Sequence, residues 1–260
     1  MSLTPDPWPA HLDLETFDEI DSTHQEARRR AAAGHPGNIW LVARRQTAGH
    51  GRRGRAWDSP TGNLMANILI RPDVEIARAP QVSFVAALAV ADLLDRCAPG
   101  RCTLKWPNDP LLDGRKAAGI LPDSAGRADG RLDWLTVGFG VNLATSPSDA
   151  PYPTASVAGV TGTAPDPDVA LTILANAWER RFAEWRMGGF APVRTAWLAR
   201  AHGLGQQIKV QLPDETFLAS FEGLDDTGAL VARTPDGYVR QVAAGDVFPV
   251  ASSSPANRSG

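Results

Sequence analysis

A nine-residue segment at positions 49–57, GHGRRGRAW, holds three glycines and three arginines. Glycine lets the backbone adopt positive φ angles and approach a ligand closely. The interleaved guanidinium groups carry fixed forks of hydrogen-bond donors that suit the oxygen atoms of phosphate or carboxylate. The segment therefore predicts a loop that closes over an anionic ligand.

The remainder of the chain has an ordinary globular composition. It contains 260 residues, 43% of them hydrophobic, which is enough for one large domain or for one large and one small domain. The net charge of −3 argues against a general nucleic-acid binder, which usually carries a basic excess. Residues 1–15 lack the basic start and apolar run of a signal peptide. The longest apolar-leaning stretch, residues 82–94, is too short to span a bilayer. We therefore expect a cytoplasmic protein with no membrane partner.

The chain has two cysteines, Cys97 and Cys102. They form neither a CxxC motif nor a cluster with histidine, so the sequence predicts no structural zinc site and no disulfide framework. We interpret both as reduced thiols, although a bond between them stays open.

The pattern of apolar residues and turn signals predicts two regions. Up to residue 203 helices and strands alternate, with strands at 38–44, 63–70, 102–106 and 132–141 and helices at 22–33, 79–96, 168–187 and 190–201. Asp113-Gly114 is a two-residue hairpin signal, and residues 144–168 read as a long irregular loop. Short β segments then follow at 207–212, 216–224, 230–233, 238–242 and 247–250, which is typical of a small barrel. We therefore predict a first domain over residues 1–203, beginning with a loose arm over residues 1–13, a second domain over 204–250, and a disordered tail over 251–260.

Four clusters of polar or glycine residues could carry chemistry. They are Ser22-Thr23, residues 46–57, residues 105–109 together with 114–119, and residues 138–142. Each alone has a plain structural explanation, such as helix capping by the first cluster or a strand-end ion pair in the third. Glycines in the fourth could mark β-bulges. The order of all four together is much harder to explain in this way.

In order and spacing these motifs resemble the bacterial biotin–protein ligases. The matching signatures are Asp-Ser-Thr, GHGRRGRAW, KWPND, GRKAAGIL and GFGVN, and the resemblance runs from residue 17 to residue 248. It implies an α+β fold, in which a mixed β-sheet with helices, related to class II synthetases and lipoate ligases, precedes a small C-terminal SH3-like β-barrel. It also implies an enzyme that joins biotin to ATP, releases pyrophosphate, and transfers biotin from biotinyl-5′-AMP to a lysine of a biotin carboxyl carrier protein, typically of acetyl-CoA carboxylase.

The resemblance also implies roles for individual residues. Lys116 corresponds to the active-site lysine, whose ammonium can bridge the biotin carboxylate and the α-phosphate, and Arg52 lies in the loop that closes on the phosphate. Asp109 would orient, or deprotonate, the incoming carrier lysine, since an amine of pKa near ~10.4 is mostly protonated at neutral pH. The implied biotin-binding residues are Ser22, Thr23, Gln46, Gly49, His50, Trp57, Lys116 and Gly119. The implied residues for ATP or the adenylate are Arg52, Arg53, Lys116, Gly138, Gly140 and Asn142.

The chemistry of ATP, rather than any cluster of ligands in the sequence, implies Mg²⁺, which typically binds substrate phosphates plus one or two protein oxygens. We assign no metal ligand. Two positions depart from the family pattern, because His50 stands where arginine is expected and His24 where asparagine is common. We also expect residues 46–57 and 144–156 to become ordered when the adenylate binds.

Three alternative functions remain open from the sequence. A lipoate or octanoate ligase would share the fold, but the arginine-rich loop and Trp57 favour biotin, because lipoyl-type pockets need a longer apolar slot. A ligand-sensing DNA repressor would need a helix-turn-helix domain ahead of the first motif, so we expect no specific DNA binding. An adenylate-binding module without turnover is the third. For the oligomeric state we expect a monomer or a weak homodimer.

Overall fold

A five-stranded mixed β-sheet forms the body of the molecule in the computed structural model, which describes residues 3–4, 6–51 and 54–250. The first two strands of its order run parallel to each other, and every other neighbouring pair is antiparallel. The mixed sheet predicted from the sequence is thus confirmed. In spatial order its strands are β1 (Asp13–Ile20), β2 (Ile39–Gln46), β3 (Leu64–Ile70), β8 (Leu132–Val141) and β7 (Ala118–Gly126).

A small three-stranded antiparallel sheet lies between β3 and β7 in the chain. Its strands are β4 (Cys102–Lys105), β5 (Asp109–Leu112) and β6 (Arg115–Lys116). Asp113 and Gly114 connect the last two with φ angles of 49° and 73°, so the predicted two-residue hairpin is confirmed, with the two positive φ angles of a type I′ turn. The register places Lys105 of β4 opposite Asp109 of β5, and Lys116 lies on the other neighbour of β5, opposite Leu111.

Helices cover both faces of the large sheet. Ala27 and Ala31 of the first helix pack against residues of β2 and β3 on one face. The second and fourth helices fill the main core on the other face. The segment Ile76–Cys97 is long and apolar enough to cross a membrane, yet most of its α-helical residues are buried in this core. The helices are α1 (Thr23–Ala32), α2 (Val82–Cys97, after a 3₁₀ turn Ile76–Gln81), α3 (Val157–Thr161), α4 (Pro167–Gly188) and α5 (Phe190–Leu198).

The C-terminal region is a second five-stranded sheet, antiparallel throughout. Its strands, in chain order, are β9 (Gln207–Gln211), β10 (Thr216–Leu224), β11 (Leu230–Arg233), β12 (Val239–Val242) and β13 (Asp246–Pro249). The edge strands are β12 and β13, although only residues 243–245 separate them in the chain. A flat sheet would hold these edges about 19 Å apart, whereas four residue steps span at most about 14 Å. The sheet must therefore curl, in keeping with the predicted SH3-like unit.

Two elements differ from the sequence-based expectation. Strand β1 was not predicted, and the end of the supposed loose arm is packed: Leu12 is buried, and its carbonyl accepts a hydrogen bond from Trp8 Nε1 at 2.8 Å. Helix α3 lies inside the stretch predicted to be irregular, where Ser156 caps its start by accepting from the Gly159 amide. The predicted disordered tail, residues 251–260, lies outside the described residues.

Candidate active site

A cavity of about 280 Å³ lies where the start of α1, the glycine- and arginine-rich loop, the large sheet and the C-terminal sheet meet. It collects residues that are distant in the sequence, which is how a ligand site differs from a surface turn. Most of the residues predicted for the site line it: Ser22, Thr23, Gln46, His50, Trp57, Asp109, Lys116, Gly119, Gly138 and Gly140.

One wall of the cavity is a set of fixed polar groups at the start of α1. Ser22 caps the helix, and the following residue, Thr23, donates to Gln46 Oε1 from both its amide (2.8 Å) and its hydroxyl (3.1 Å). Gln46 Nε2 in turn donates to Ser59 Oγ at 2.9 Å. Ser22 and Thr23 therefore form the start of the helix and also line the cavity. Helix capping, the plain structural explanation of these two residues, is thus compatible with a ligand-binding role.

A second wall is the indole of Trp57, which lies flat on a part of the sheet that has no side chains. Gly119 of β7 and Gly140 of β8 stand directly opposite each other. A Cβ atom added at Gly119 would lie 2.6 Å from the Trp57 ring, and one at Gly140 would lie 2.4 Å from it. Any larger residue at either position would displace the indole, so these two glycines create the seat for an aromatic wall.

The described part of the glycine- and arginine-rich loop pairs as the base of a short hairpin. The Trp57 amide donates to the Gly49 carbonyl at 2.9 Å, and the Gly51 amide donates to the Arg55 carbonyl at 2.7 Å. Arg52 and Arg53, the residues predicted to contact phosphate, lie outside the described residues, so their roles stay predictions.

A compact charge cluster forms the third wall. Asp109 accepts from Lys116 Nζ at 2.6 Å, and its other oxygen lies 3.0 Å from Lys105 Nζ. Burial alone would raise the pKa of Asp109, but the two ammonium groups outweigh burial and hold this pKa below its usual value. The Lys116 ammonium also faces the ring of Tyr152, 5.2 Å from its centroid. Two cations thus share one carboxylate beside the cavity, which suits the binding of anions.

A buried histidine, His24, lines the cavity next to the polar wall and was not predicted as a site residue. Burial lowers its pKa to about 4; the nearby Asp123 acts against this shift, whereas His50 and Arg28 add to it. The positive end of the helix dipole also disfavours an imidazolium, because His24 is the second residue of α1. The ring is therefore neutral at physiological pH.

Two predicted residues lie behind the cavity wall. Asn142 is almost fully buried and donates from Nδ2 to the Ala155 carbonyl at 3.1 Å, which ties down the end of the 144–156 segment. Gly49 packs against Gln46 and the Trp57 carbonyl. Neither lines the cavity, and the ligand-binding role of each stays a prediction.

Other lining residues had no signal in the sequence. Tyr152 lies in a segment predicted to close over the ligand, but nothing marked the tyrosine itself. Phe248 comes from the C-terminal sheet, more than a hundred positions after Gly140, the last of the predicted residues that line the cavity.

Comparison with known proteins gives two family matches along the chain. Residues 17–142 match the biotin/lipoate A/B protein ligase family, and residues 203–248 match the biotin protein ligase C-terminal domain. The biotin–[acetyl-CoA-carboxylase] ligase of Paracoccus denitrificans is 46% identical over 88% of this chain and 97% of its own length. The bifunctional ligase/repressor BirA of Bacillus subtilis is 30% identical over 88% of this chain and 72% of its own length.

Solved structures show the same fold. The biotin protein ligase from Aquifex aeolicus in complex with biotin and ATP superimposes with a TM-score of 0.77 and covers 91% of this chain and 97% of its own. Its sequence identity is 24%, so this likeness concerns the fold.

Because the pKa of His24 is lowered in the folded protein, we predict that this residue makes the protein less stable as the pH falls. Between about pH 6.5 and pH 4 the unfolded chain takes up a proton at this residue and the folded protein does not. The free energy of unfolding therefore falls with acidification, by up to about 1.4 kcal/mol per pH unit from this group. We expect His24→Asn to remove this part of the slope in urea unfolding measured at pH 7, 6, 5 and 4.5.

His11→Asn is the matched control, because His11 is exposed on the surface. Parallel stability curves for His24→Asn and the unmodified protein would contradict the prediction.

Proposed function

The chain belongs to the biotin protein ligase family, and on that basis we propose that it activates biotin with ATP and attaches it to a carrier protein. In the first step a carboxylate oxygen of biotin attacks the α-phosphorus of ATP, and pyrophosphate leaves. In the second step the neutral amine of a lysine attacks the acyl carbon of biotinyl-5′-AMP, AMP leaves, and the amine gives up a proton. The carrier is the biotin carboxyl carrier protein of acetyl-CoA carboxylase or of a related carboxylase.

The observation that carries this proposal is the pair of ammonium groups around Asp109 at the cavity wall. Both reactants of the first step are anions, so positioned positive charge contributes much of the catalysis. Lys116 lines the cavity, and its contacts with Asp109 and Tyr152 fix its ammonium there. Such an ammonium is placed to bridge a carboxylate and a phosphate oxygen. Arg52 and Arg53 would add charge from the loop.

The walls of the cavity favour biotin over a linear acyl group. Ser22, Thr23 and Gln46 supply donors and acceptors for a ureido ring. The indole of Trp57, seated on bare glycines, offers a flat apolar surface for the fused rings. A lipoyl or octanoyl chain has no polar ring to use these groups.

Asp109 is better suited to orient a cation than to take up a proton. Its pKa is lowered, so the carboxylate is a weak base at neutral pH. We propose that it positions Lys116 during activation and the carrier lysine during transfer. Gly138 would leave room for the nucleotide, as the family resemblance implies, whereas the space above Gly140 is taken by the Trp57 indole.

The remaining parts of the proposal rest on less direct support. The described residues include no group of three His, Cys, Asp or Glu side chains placed to hold a metal ion, and Mg²⁺ commonly keeps its waters and binds substrate phosphates. We therefore propose that Mg²⁺ arrives with ATP.

Cys97 and Cys102 are both free thiols, which supports a reducing cytoplasmic location. The domain boundary at residues 203–204 is proposed because β9 begins at Gln207. The lack of specific DNA binding and the monomeric or weakly dimeric state stay predictions.

A direct assay separates the candidate functions. The purified protein is incubated with ATP, a biotin carboxyl carrier domain, and either biotin or lipoate. We expect pyrophosphate release and a mass increase of the carrier only with biotin. Modification by lipoate would support the lipoate ligase instead, and ligand binding without pyrophosphate release would indicate a binding module.

The seat of Trp57 predicts the effect of adding one methyl group to the sheet. Gly140→Ala should displace the indole at a cost of about 1–3 kcal/mol, which weakens biotin binding at least fivefold in calorimetric titration. Gly138→Ala is the comparison variant on the same strand, because its Cβ would make a tight contact of 3.3 Å with Asn67 Nδ2 and none of its three nearest neighbours belongs to Trp57. Equal biotin affinity in the two variants would argue against the aromatic wall.

The placement of Asp109 predicts a defect in transfer. With pre-formed biotinyl-5′-AMP, Asp109→Asn should slow single-turnover biotinylation of the carrier by about 100-fold, the size of effect typical of a misplaced reacting group. Asp113→Asn is the control, because Asp113 lies in the adjacent hairpin turn and pairs with Arg101 outside the cavity. Full transfer by Asp109→Asn would show that this carboxylate has no role in the second step.

A further inference from the structure

Lys105, the second ammonium group at Asp109, was assigned no function of its own from the sequence, although it lines the cavity. It stands directly opposite Asp109 in the antiparallel pair of β4 and β5, and its Nζ lies 3.0 Å from one carboxylate oxygen. Lys116 reaches the other oxygen from β6, where its cross-strand partner is Leu111. Strand pairing therefore joins Asp109 more directly to Lys105 than to Lys116.

The backbone on both sides of Lys105 is held by distant parts of the chain. The Leu104 amide donates to the Arg200 carbonyl, and the Leu104 carbonyl accepts from the His202 amide, both at 2.8 Å. Trp106 is almost fully buried, and its indole donates at 3.0 Å to a carbonyl in the turn between β10 and β11. The Lys105 backbone is therefore fixed between the two sheets, which suits a group that keeps its place during a reaction.

The Lys105 side chain has an aromatic neighbour in the C-terminal sheet. Its Nζ lies 5.5 Å from the centroid of the Phe248 ring, which also lines the cavity. Lys209, the cross-strand partner of Phe248, places its own Nζ 5.3 Å from the same centroid. The face of an aromatic ring attracts an ammonium group. Phe248 therefore helps to keep Lys105 at the cavity wall, close to Asp109.

The two lysines differ in what surrounds them. The Lys116 ammonium faces Tyr152, and its amide donates to the Pro153 carbonyl, so it contacts the segment predicted to become ordered when the adenylate binds. An ammonium that turns towards substrate oxygens weakens its contact with Asp109. A buried carboxylate left without a partner is costly. Lys105 removes this cost, because the Lys105–Asp109 pair stays neutral whatever Lys116 contacts.

We propose that Lys105 is the counter-ion that stays with Asp109 through both steps, held by Phe248, and that it thereby frees Lys116 to bind the anionic substrates. Lys105 and Phe248 are positioning residues, since they act through Asp109. The inference rests on the proposed function, because it assigns these roles within the same reaction.

A double-mutant cycle with Asp109 tests whether Lys105 acts through the carboxylate. Single-turnover transfer from pre-formed biotinyl-5′-AMP to the carrier is measured with the full-length protein. Lys105→Met should slow transfer by roughly ten- to a hundredfold, because Asp109 is then misplaced or protonated. The double variant with Asp109→Asn should be no slower than Asp109→Asn alone, because both changes remove the same pair. Lys105→Arg keeps the charge and should restore most of the rate.

Variants of Phe248 test the contribution of the C-terminal sheet. Phe248→Leu should slow transfer about two- to fivefold, the effect of losing one cation–π contact. Phe248→Tyr keeps the ring face and should transfer at close to the original rate. Phe217→Leu is the matched control, because the Phe217 ring faces Arg240 on the same sheet and does not line the cavity. It should leave transfer unchanged.

The pH dependence of transfer separates a counter-ion from a merely structural residue. Loss of Lys105 should raise the pKa of Asp109, which the two ammonium groups hold low against burial. The rate of Lys105→Met relative to the unmodified protein should therefore fall as the pH is lowered from 8 to 5.5. Ionisation of the carrier lysine cancels in this ratio. The same ratio for Lys105→Arg should stay flat.

Other titratable groups border the charge cluster or the cavity beside it. They are Tyr152, His202, Lys209 and Asp246. His202→Gln is the control for the pH series, because an imidazole ordinarily titrates in this range. Its rate relative to the unmodified protein should not vary with pH.

Three results would each overturn the inference: effects of Lys105→Met and Asp109→Asn that multiply, a flat pH ratio for Lys105→Met, or equal rates for Phe248→Leu and Phe248→Tyr. Each leaves the proposed function intact as long as the unmodified protein forms biotinyl-5′-AMP and biotinylates the carrier. An unmodified protein that does neither would overturn the proposed function, and the inference with it.

Discussion

The Asp109 carboxylate between two ammonium groups is the interaction on which the rest of the site depends. The side chains of Lys105, Asp109 and Lys116 are only 18–20% exposed, so each charge has lost much of its hydration. A lone buried carboxylate or ammonium would be costly, and removing one partner would leave the others uncompensated. The cluster as a whole keeps one excess positive charge. A carboxylate or phosphate that binds there completes the neutralisation, and the low exposure of the cluster strengthens its attraction for anionic substrates.

The C-terminal sheet is attached to this cluster at two points. The Phe248 ring of β13 faces Lys105 Nζ at 5.5 Å. Trp106, which follows Lys105 in the chain, donates a hydrogen bond from its indole to the Gly228 carbonyl at 3.0 Å. Gly228 has a φ of +93° and packs against Phe84, where a Cβ would lie 2.6 Å from the ring. Residues 105–106 therefore contact the C-terminal sheet on both sides. Any displacement of that sheet would move Lys105, and with it the position of Asp109.

Local signals made much of this arrangement predictable from the sequence, and long-range packing accounts for what was missed. Asp113-Gly114 was predicted as a hairpin because the turn needs positive φ at both positions, a property of the residues themselves. Strand β1 was missed because it is an acidic edge strand that pairs with β2 alone, so no alternation of apolar residues marks it. His24 and Phe248 were missed for a different reason. Packing against residues more than forty positions away in the chain places each of these two side chains in the cavity.

The site divides the tasks of recognition and retention between parts of different rigidity. Thr23 and His24 belong to the start of α1 and Gln46 to strand β2, where opening requires disrupting the core. The described part of the 49–57 loop is a hairpin base, held by the backbone pairs Gly49–Trp57 and Gly51–Arg55. A rigid wall can discriminate between ligands because its polar groups cannot adapt to the wrong one. A loop that opens is needed as well, since the activated intermediate must be shielded from water and later exposed to the carrier lysine. His24 of α1 and His50 of the loop meet at the boundary between these parts, with ring centroids 5.5 Å apart.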